Sequence, residues 1–359
     1  MIHCELLQNI LDQPRSIEAV SAYQLGDGRG AMLGATDAVR KAKQIILSGM
    51  GSSLFACTPL SYFLARRGIT APVIEASELL HYQAEVCRPG SVVILLSRSG
   101  ETIEVTKLLP VLREKQVTVI GVTNVPNSTL ARDANYPILI HSFADQLVAV
   151  QTYVATVVTL LLLGATIAGD SESRWGKDIA ALTSALSSFI PDCVERGTGW
   201  REFLNSAGAI YLLGRGPSLG SVSEGTLLFH EIAKAPASAM SAAHFRHGPV
   251  EVVSGAFRAI VFATQTATRD LDAALASDIA GMGGNARIIG AGEIDAKLRF
   301  CSWPDGVPEA LTPVVEIIPV QVAALCFAQW RGVTPGDFRF APEVTLAESG
   351  FTPIPKGRA

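Results

Sequence analysis

Short runs of β-branched and leucine residues alternate along this chain with stretches whose apolar side chains recur every three or four positions. The run Ser91-Val92-Val93-Ile94-Leu95-Leu96 has the continuous apolar character of a strand buried on both faces of a parallel sheet. It ends in Ser97-Arg98-Ser99-Gly100-Glu101-Thr102, a turn of small hydroxyl residues around a glycine. From residue 102 to 112 the apolar positions Ile103, Val105, Leu108, Leu109 and Leu112 keep helical spacing, which predicts a helix starting at that turn. Upstream, Ile46-Leu47-Ser48-Gly49-Met50-Gly51-Ser52-Ser53 reads the same way, as a strand followed by a glycine turn.

The pattern occurs twice. Gly49-x-Gly51-x-Ser53-Leu54 returns as Gly214-x-Gly216-x-Ser218-Leu219, residues 92–97 return as 259–264, and 117–121 as 286–290. Val150-Gln151, at the head of one long apolar helix, returns as Val320-Gln321 at the head of another. Four blocks in the same order, at a slowly drifting offset, predict a duplicated unit with small insertions. In each copy, strands alternating with helical stretches predict right-handed βαβ units on a parallel sheet. Ligands of such sheets sit beyond the carboxyl ends of the strands, where the glycine and serine turns lie.

At that place the first copy offers an anion site. The first N–H groups of a helix lack intrahelical acceptors, and Ser97, Ser99 and Thr102 add three hydroxyls; together they match a phosphate. An ordinary capping turn explains one such hydroxyl but not all three. The second copy has Thr264-Gln265-Thr266-Ala267-Thr268-Arg269 instead, without the glycine that allows close backbone approach. Only the first copy is therefore expected to hold a phosphate well.

Composition narrows the choice of partners. The chain has 359 residues, enough for two domains, and a net charge of -4 without basic runs, which speaks against nucleic acid. Its six cysteines, Cys4, Cys57, Cys87, Cys193, Cys301 and Cys326, include no C-x-x-C pair. That suits a reducing compartment better than a disulfide framework or structural zinc. No basic region followed by an apolar core opens the sequence, so a cytoplasmic location is expected. Residues 154–168 are almost wholly apolar but shorter than a bilayer span needs. A helix held between a sheet and a subunit neighbour has the same composition, so no membrane contact is expected.

The hydroxyl turn, the 46–53 turn, Gly214-Arg215-Gly216-Pro217-Ser218 and Arg246-His247-Gly248-Pro249 together resemble the tandem sugar isomerase (SIS) domain family, as in the isomerase half of glucosamine-fructose-6-phosphate aminotransferase. The resemblance implies an α/β chain of two three-layer αβα SIS domains, each with a parallel flavodoxin-like sheet. The expected divisions are an N-terminal helical segment (1–28), SIS domain 1 (29–170), a linker helix (171–198), SIS domain 2 (199–333) and a tail over the active site (334–359). The aromatic residues Phe338, Phe340 and Phe351 suggest that the tail packs onto something.

The resemblance also assigns roles. Ser53, Ser97, Arg98, Ser99 and Thr102 fall at positions that grip the sugar phosphate; Gly51, Ser52, Val148 and Glu224 fall at other substrate-lining positions. Glu231 falls at the C1–C2 proton-transfer glutamate, and His247 at the ring-opening histidine, which the family supplies across a dimer interface. The chemistry suits these residue types: one carboxylate can take a proton and return it, and imidazole shuttles protons near neutral pH. Taken without the resemblance, Glu231 reads as an exposed helix carboxylate, while His247 reads equally well as a loop histidine beside Gly248-Pro249 and as a proton shuttle.

Two departures stand out. The aminotransferase has lysines where this chain has Leu228 and, in its tail, Pro342 or Glu343, so Schiff-base chemistry at those positions is not available. With no glutaminase domain before the first copy, the expected activity is not glutamine-dependent synthesis. His244 and His247 share a His-x-x-His spacing but lack a third ligand, and neither Gly-x-Gly turn has a third glycine. Neither a metal nor a dinucleotide cofactor is expected. The reading is a homodimeric enzyme acting on an amino-sugar 6-phosphate, as an isomerase, deaminase or fructosamine-phosphate deglycase. Its alternatives are a plain aldose–ketose phosphosugar isomerase and a catalytically silent sugar-phosphate sensor.

Overall fold

The computed structural model describes residues 4–145, 148–292, 294–340 and 344–350. Among these, nine strands form two wholly parallel sheets. The first contains β1 (Gln44–Gly49), β2 (Val73–Glu75), β3 (Ser91–Leu96), β4 (Thr118–Thr123) and β5 (Tyr136–Leu139), in the order β2-β1-β3-β4-β5. The second contains β6 (Ala209–Gly214), β7 (Ser238–Ser241), β8 (Phe257–Ala263) and β9 (Asn285–Gly290), in the order β7-β6-β8-β9. The first order is that of flavodoxin-like sheets, and the second repeats it strand for strand without the fifth. An isolated parallel bridge between Ile288 and Arg299 is what the second sheet has beside β9. The expected α/β fold of two tandem sheets is thus present.

The chain divides into two compact units, each containing one sheet. Residues Ala19–Gly176 and Asp337–Ala359 make the first, and Met1–Glu18 with Lys177–Gly336 the second. Two of the three divisions fall inside the helices Gln13–Leu25 and Glu172–Glu195, and the third follows Gly336. In the first unit β3 is buried at all six positions, as a strand covered on both faces must be. Val93 and Leu95 on one of its faces pack with Val105, Leu108 and Leu112 of the helix Ile103–Glu114. The second unit is built likewise, with Ala259 and Val261 of β8 against Leu275 and Ile279 of the helix Arg269–Gly281.

The apolar stretch seen in the sequence is the helix Gln151–Ala168, which starts three residues earlier than the expected 154. It is not a face awaiting a partner subunit: every residue from Gln151 to Ala165 is buried within the single chain, and the helices Gly51–Ala65 and Arg29–Lys41 lie against it. This helix and the segment Glu309–Trp330 are apolar and long enough to cross a membrane, yet 89% of the apolar 18-residue stretch of each is buried inside the protein.

Asp145 fixes where that helix begins. One oxygen of its buried carboxylate accepts from the amides of Val150 (3.0 Å) and Thr152 (2.9 Å), and the other from Gln151 (3.1 Å). The Thr152 hydroxyl donates to it as well. Burial pushes the Asp145 pKa up while these four donors pull it down, and burial is the larger effect. Removing the acceptor leaves three buried N–H groups unpaired. Asp145→Ala is expected to cost about 3 kcal/mol of stability, read as a lowered midpoint in denaturant unfolding; an unchanged midpoint would show that the helix start needs no cap.

Candidate active site

Strand order reverses between β1 and β3 in the first sheet, because β2 lies on one side of β1 while β3 and β4 run out on the other. At such a switch point the connecting helices leave on opposite faces and open a crevice at the carboxyl ends of the strands. Register pairs Ser48 of β1 with Leu95 of β3, so the turns after the two strands stand side by side. Gly51, Ser52 and Ser53 form the first turn of the helix Gly51–Ala65, all half-buried. Ser97, buried, follows β3 directly.

The hydroxyls of the second turn converge. Ser97 Oγ lies 2.9 Å from Thr102 Oγ1 and 3.4 Å from Ser99 Oγ. Thr102 occupies the N-cap position of the helix Ile103–Glu114, yet its side chain makes no capping hydrogen bond; it faces Ser97 instead. The backbone is less available than the sequence implies: the Gly100 amide donates to Ser97 Oγ (3.0 Å) and the Glu101 amide to Ser99 Oγ (3.2 Å). The donors presented at this turn are therefore mainly hydroxyls.

Gly100 permits the turn. Its φ is +68°, and a Cβ there would stand 2.1 Å from Ser128 Oγ, so both conformation and space exclude a side chain. On either side the loop is tied down. The Glu101 carboxylate accepts from the Thr129 amide (2.7 Å) and hydroxyl (2.8 Å). The Arg98 carbonyl accepts from the Asn124 amide (3.0 Å) and the Thr123 hydroxyl (3.1 Å). Half-buried Arg98 and buried Val148 complete the positions expected in this unit.

The tail reaches this unit too. The carbonyl of Thr345 accepts from the Ile103 amide (3.0 Å), the first N–H of the helix after the hydroxyl turn. Glu348 pairs with His81 (2.7 Å) and with Lys107, and these partners hold its carboxyl below the ordinary glutamate range, Lys107 contributing most. Of the tail's aromatic residues, Phe340 is 72% exposed and Phe338 half-buried, while Phe351, like Pro342 and Glu343, lies outside the described residues. Backbone and charge hold this segment, which hydropathy could not reveal.

In the second unit the helix Ser218–Glu231 carries both acidic candidates. Glu224 is buried at 1% exposure, and Glu231, at the last turn, is half-buried. Leu228, expected to stand in place of a lysine, lies in the core. A lysine that the sequence reading passed over stands close by: Lys234, at a φ of +51°, donates through Nζ to the Glu231 carbonyl. His247 is exposed on the turn after the short helix Ala242–Phe245, and its amide donates to the His244 carbonyl (2.9 Å). Among the described residues, no third His, Cys, Asp or Glu joins these two histidines in a metal-binding group.

The duplicated parallel sheet has a hydroxyl turn at its switch point, and residues 38–168 match the model of the SIS domain. The chain is 27% identical over 345 residues to a glutamine–fructose-6-phosphate aminotransferase (isomerizing) of Pyrobaculum aerophilum, covering 92% of this chain and 55% of the relative. It thus spans about half the length of that relative. Its fold is that of the C-terminal domain of glucosamine-fructose-6-phosphate aminotransferase from Francisella tularensis, with a TM-score of 0.80, 21% identity, and coverage of 94% of this chain and 99% of the other. It is also similar to a glucosamine-6-phosphate deaminase from Thermotoga maritima, with a TM-score of 0.72, 19% identity, and coverage of 95% and 99%.

The tail contact gives a direct expectation. Glu348→Ala removes both ion pairs of the strap, and the Ile103 amide should then exchange its hydrogen faster with solvent. Hydrogen-exchange mass spectrometry over residues 101–106 reads this; unchanged exchange would mean that the Thr345 carbonyl holds without Glu348.

Proposed function

We propose that this protein is an enzyme of the phosphosugar isomerase and deaminase type, acting on an amino-sugar 6-phosphate by proton transfer between C1 and C2. The observation that carries this reading is the convergence of Ser97, Ser99 and Thr102 at the Gly100 turn, with the Thr102 hydroxyl directed at Ser97 rather than at the helix it precedes. A phosphate is the ligand whose several acceptor oxygens suit such a set. Similarity to proteins named for fructose-6-phosphate and glucosamine-6-phosphate supports the amino-sugar class.

In this reading Ser53, Ser97, Ser99 and Thr102 hold the phosphate, with Arg98 adding charge. His247 moves a proton to the ring oxygen so that the sugar opens. Glu231 removes the proton from C2 of the open aldose and returns it to C1. A 2-amino aldose then becomes a 2-imine, which water cleaves to a ketose phosphate and ammonia. Lys234 places a cation next to the Glu231 backbone, and the chain proceeds without a lysine at Leu228. The reading places the active assembly in a homodimer, to which an exposed His247 is suited.

Binding and turnover should separate. Glu231→Gln should leave affinity for glucosamine 6-phosphate near normal and lower ammonia release by about 10²-fold, as loss of a general base does. Ser99→Ala and Thr102→Val should each weaken affinity roughly ten- to hundredfold, while changes at Thr266 and Arg269 of the second copy do little. Calorimetry and an ammonia assay measure both; a Glu231→Gln enzyme with more than half of normal activity sinks the proton-transfer role.

Mixed dimers examine the assembly. Inactive Glu231→Gln and His247→Ala chains, combined at random, form about half hybrids, each with one intact site if His247 serves the partner chain. Roughly a quarter of normal activity should return. Verified hybrids without activity would place both residues in the site of one chain.

A further inference from the structure

The duplication makes position-by-position comparison possible, and the second copy's turns end on a side chain of the protein itself. Ser218 follows the glycine turn after β6 as Ser53 follows the one after β1, and Thr264 follows β8 as Ser97 follows β3. Ser218 Oγ and Thr264 Oγ1 lie 3.1 Å apart. Both donate to the same oxygen, Oε2 of Glu316, with Ser218 at 3.0 Å. Ser221, one turn further along the helix Ser218–Glu231, faces the same carboxyl.

Glu316 ends the short helix Thr312–Glu316, just before the helix Ile318–Trp330, and its side chain is completely buried. Its other oxygen, Oε1, has no hydrogen-bond partner among the described residues. Gln265 and Asp272 beside it also have partners inside the protein. Gln265 Nε2 donates to Thr312 Oγ1 (2.8 Å). Asp272, at 1% exposure, takes the Arg215 guanidinium (2.8 Å) and the Thr268 hydroxyl (3.0 Å).

We infer that Glu316 is a built-in ligand: its carboxyl occupies, in the second copy, the place that the first copy's turns offer to an oxyanion, and it anchors the start of the helix that carries Glu224 and Glu231. The second pocket is then closed to phosphate because it is already filled, and Glu316 is a positioning residue for that helix. The carboxyl and its donors stand on geometry alone, so the inference goes beyond the phosphosugar reading and does not need it.

Vacating the pocket should turn it into a small-carboxylate site. Glu316→Ala leaves Ser218 and Thr264 facing a hole that formate fits, and formate does not require the phosphate turn of the first copy. The variant should melt well below the native protein, and saturating formate should raise its midpoint by about 5 °C relative to chloride at equal ionic strength. The native protein and Glu316→Gln should show no such gain. Hydrogen exchange at residues 218–221 should rise in Glu316→Ala and fall again with formate. A folded Glu316→Ala that gains no more from formate than the native chain overturns the inference.

Should Glu316→Ala fail to fold, the pH dependence of Glu316→Gln decides. Burial raises the Glu316 pKa to about 7, the donors Thr264, Ser221 and Ser218 pull it down, and Asp272, itself raised to about 6 and paired with Arg215, pushes it further up. A carboxyl raised in the folded state favours folding below its unfolded value, and that contribution is lost as pH rises through about 7. Native stability should therefore decline more over the interval from the ordinary glutamate range to about 7 than that of Glu316→Gln. Parallel profiles for the two proteins would overturn the inference.

Discussion

Parallel pairing of β1 with β3 is the contact on which the candidate site depends. Five register pairs, from Gln44 with Ser91 to Ser48 with Leu95, bring two turns far apart in sequence to one edge. The pairing is secured by burial on both faces, because a slip by one residue would put every side chain of β3 into a space packed for a different one. The pairing adds the Gly51-Ser52-Ser53 turn to the hydroxyl turn that follows β3. The same register logic operates in the second sheet, where Ala209 pairs with Phe257 and Leu213 with Val261.

Two copies of one framework have been given different fillings. In the first, Ser97, Ser99 and Thr102 bond chiefly to one another and to the loop backbone. Such contacts can be exchanged for a ligand without leaving a buried group unpaired. In the second, Ser218 and Thr264 meet a fixed carboxyl, and Arg215 meets Asp272. The absence of a glycine from Thr264-Gln265-Thr266-Ala267-Thr268-Arg269 is thus only part of the difference between the copies.

The framework is legible in the sequence because it is written in local patterns. Apolar runs give the strands, helical spacing gives the helix Ile103–Glu114, and the repeated glycine turns give the duplication. Thr102 was legible as a helix boundary, although not in the direction of its hydroxyl, which depends on Ser97 five residues away. Asp145 and Glu316 were not legible. Asp145 sits outside the spacing of an ordinary cap, and Glu316 meets its partners 98 and 52 residues away in the chain. The burial of the apolar helix was misjudged for a related reason: its cover comes from the helices Gly51–Ala65 and Arg29–Lys41, which periodicity within the helix itself cannot report.

The exchange of termini between the two units has a consequence for the order of synthesis. The unit of Met1–Glu18 and Lys177–Gly336 takes its distant piece from residues already made when its own sheet leaves the ribosome. The other unit takes its distant piece from Asp337 onward, residues made after both sheets. Its sheet, with the hydroxyl turn, is complete by Leu139, yet the Thr345 carbonyl reaches the Ile103 amide only after more than two hundred further residues. The earlier sheet must therefore wait, without its strap, until residues 345–348 have been made, and the later unit can close first.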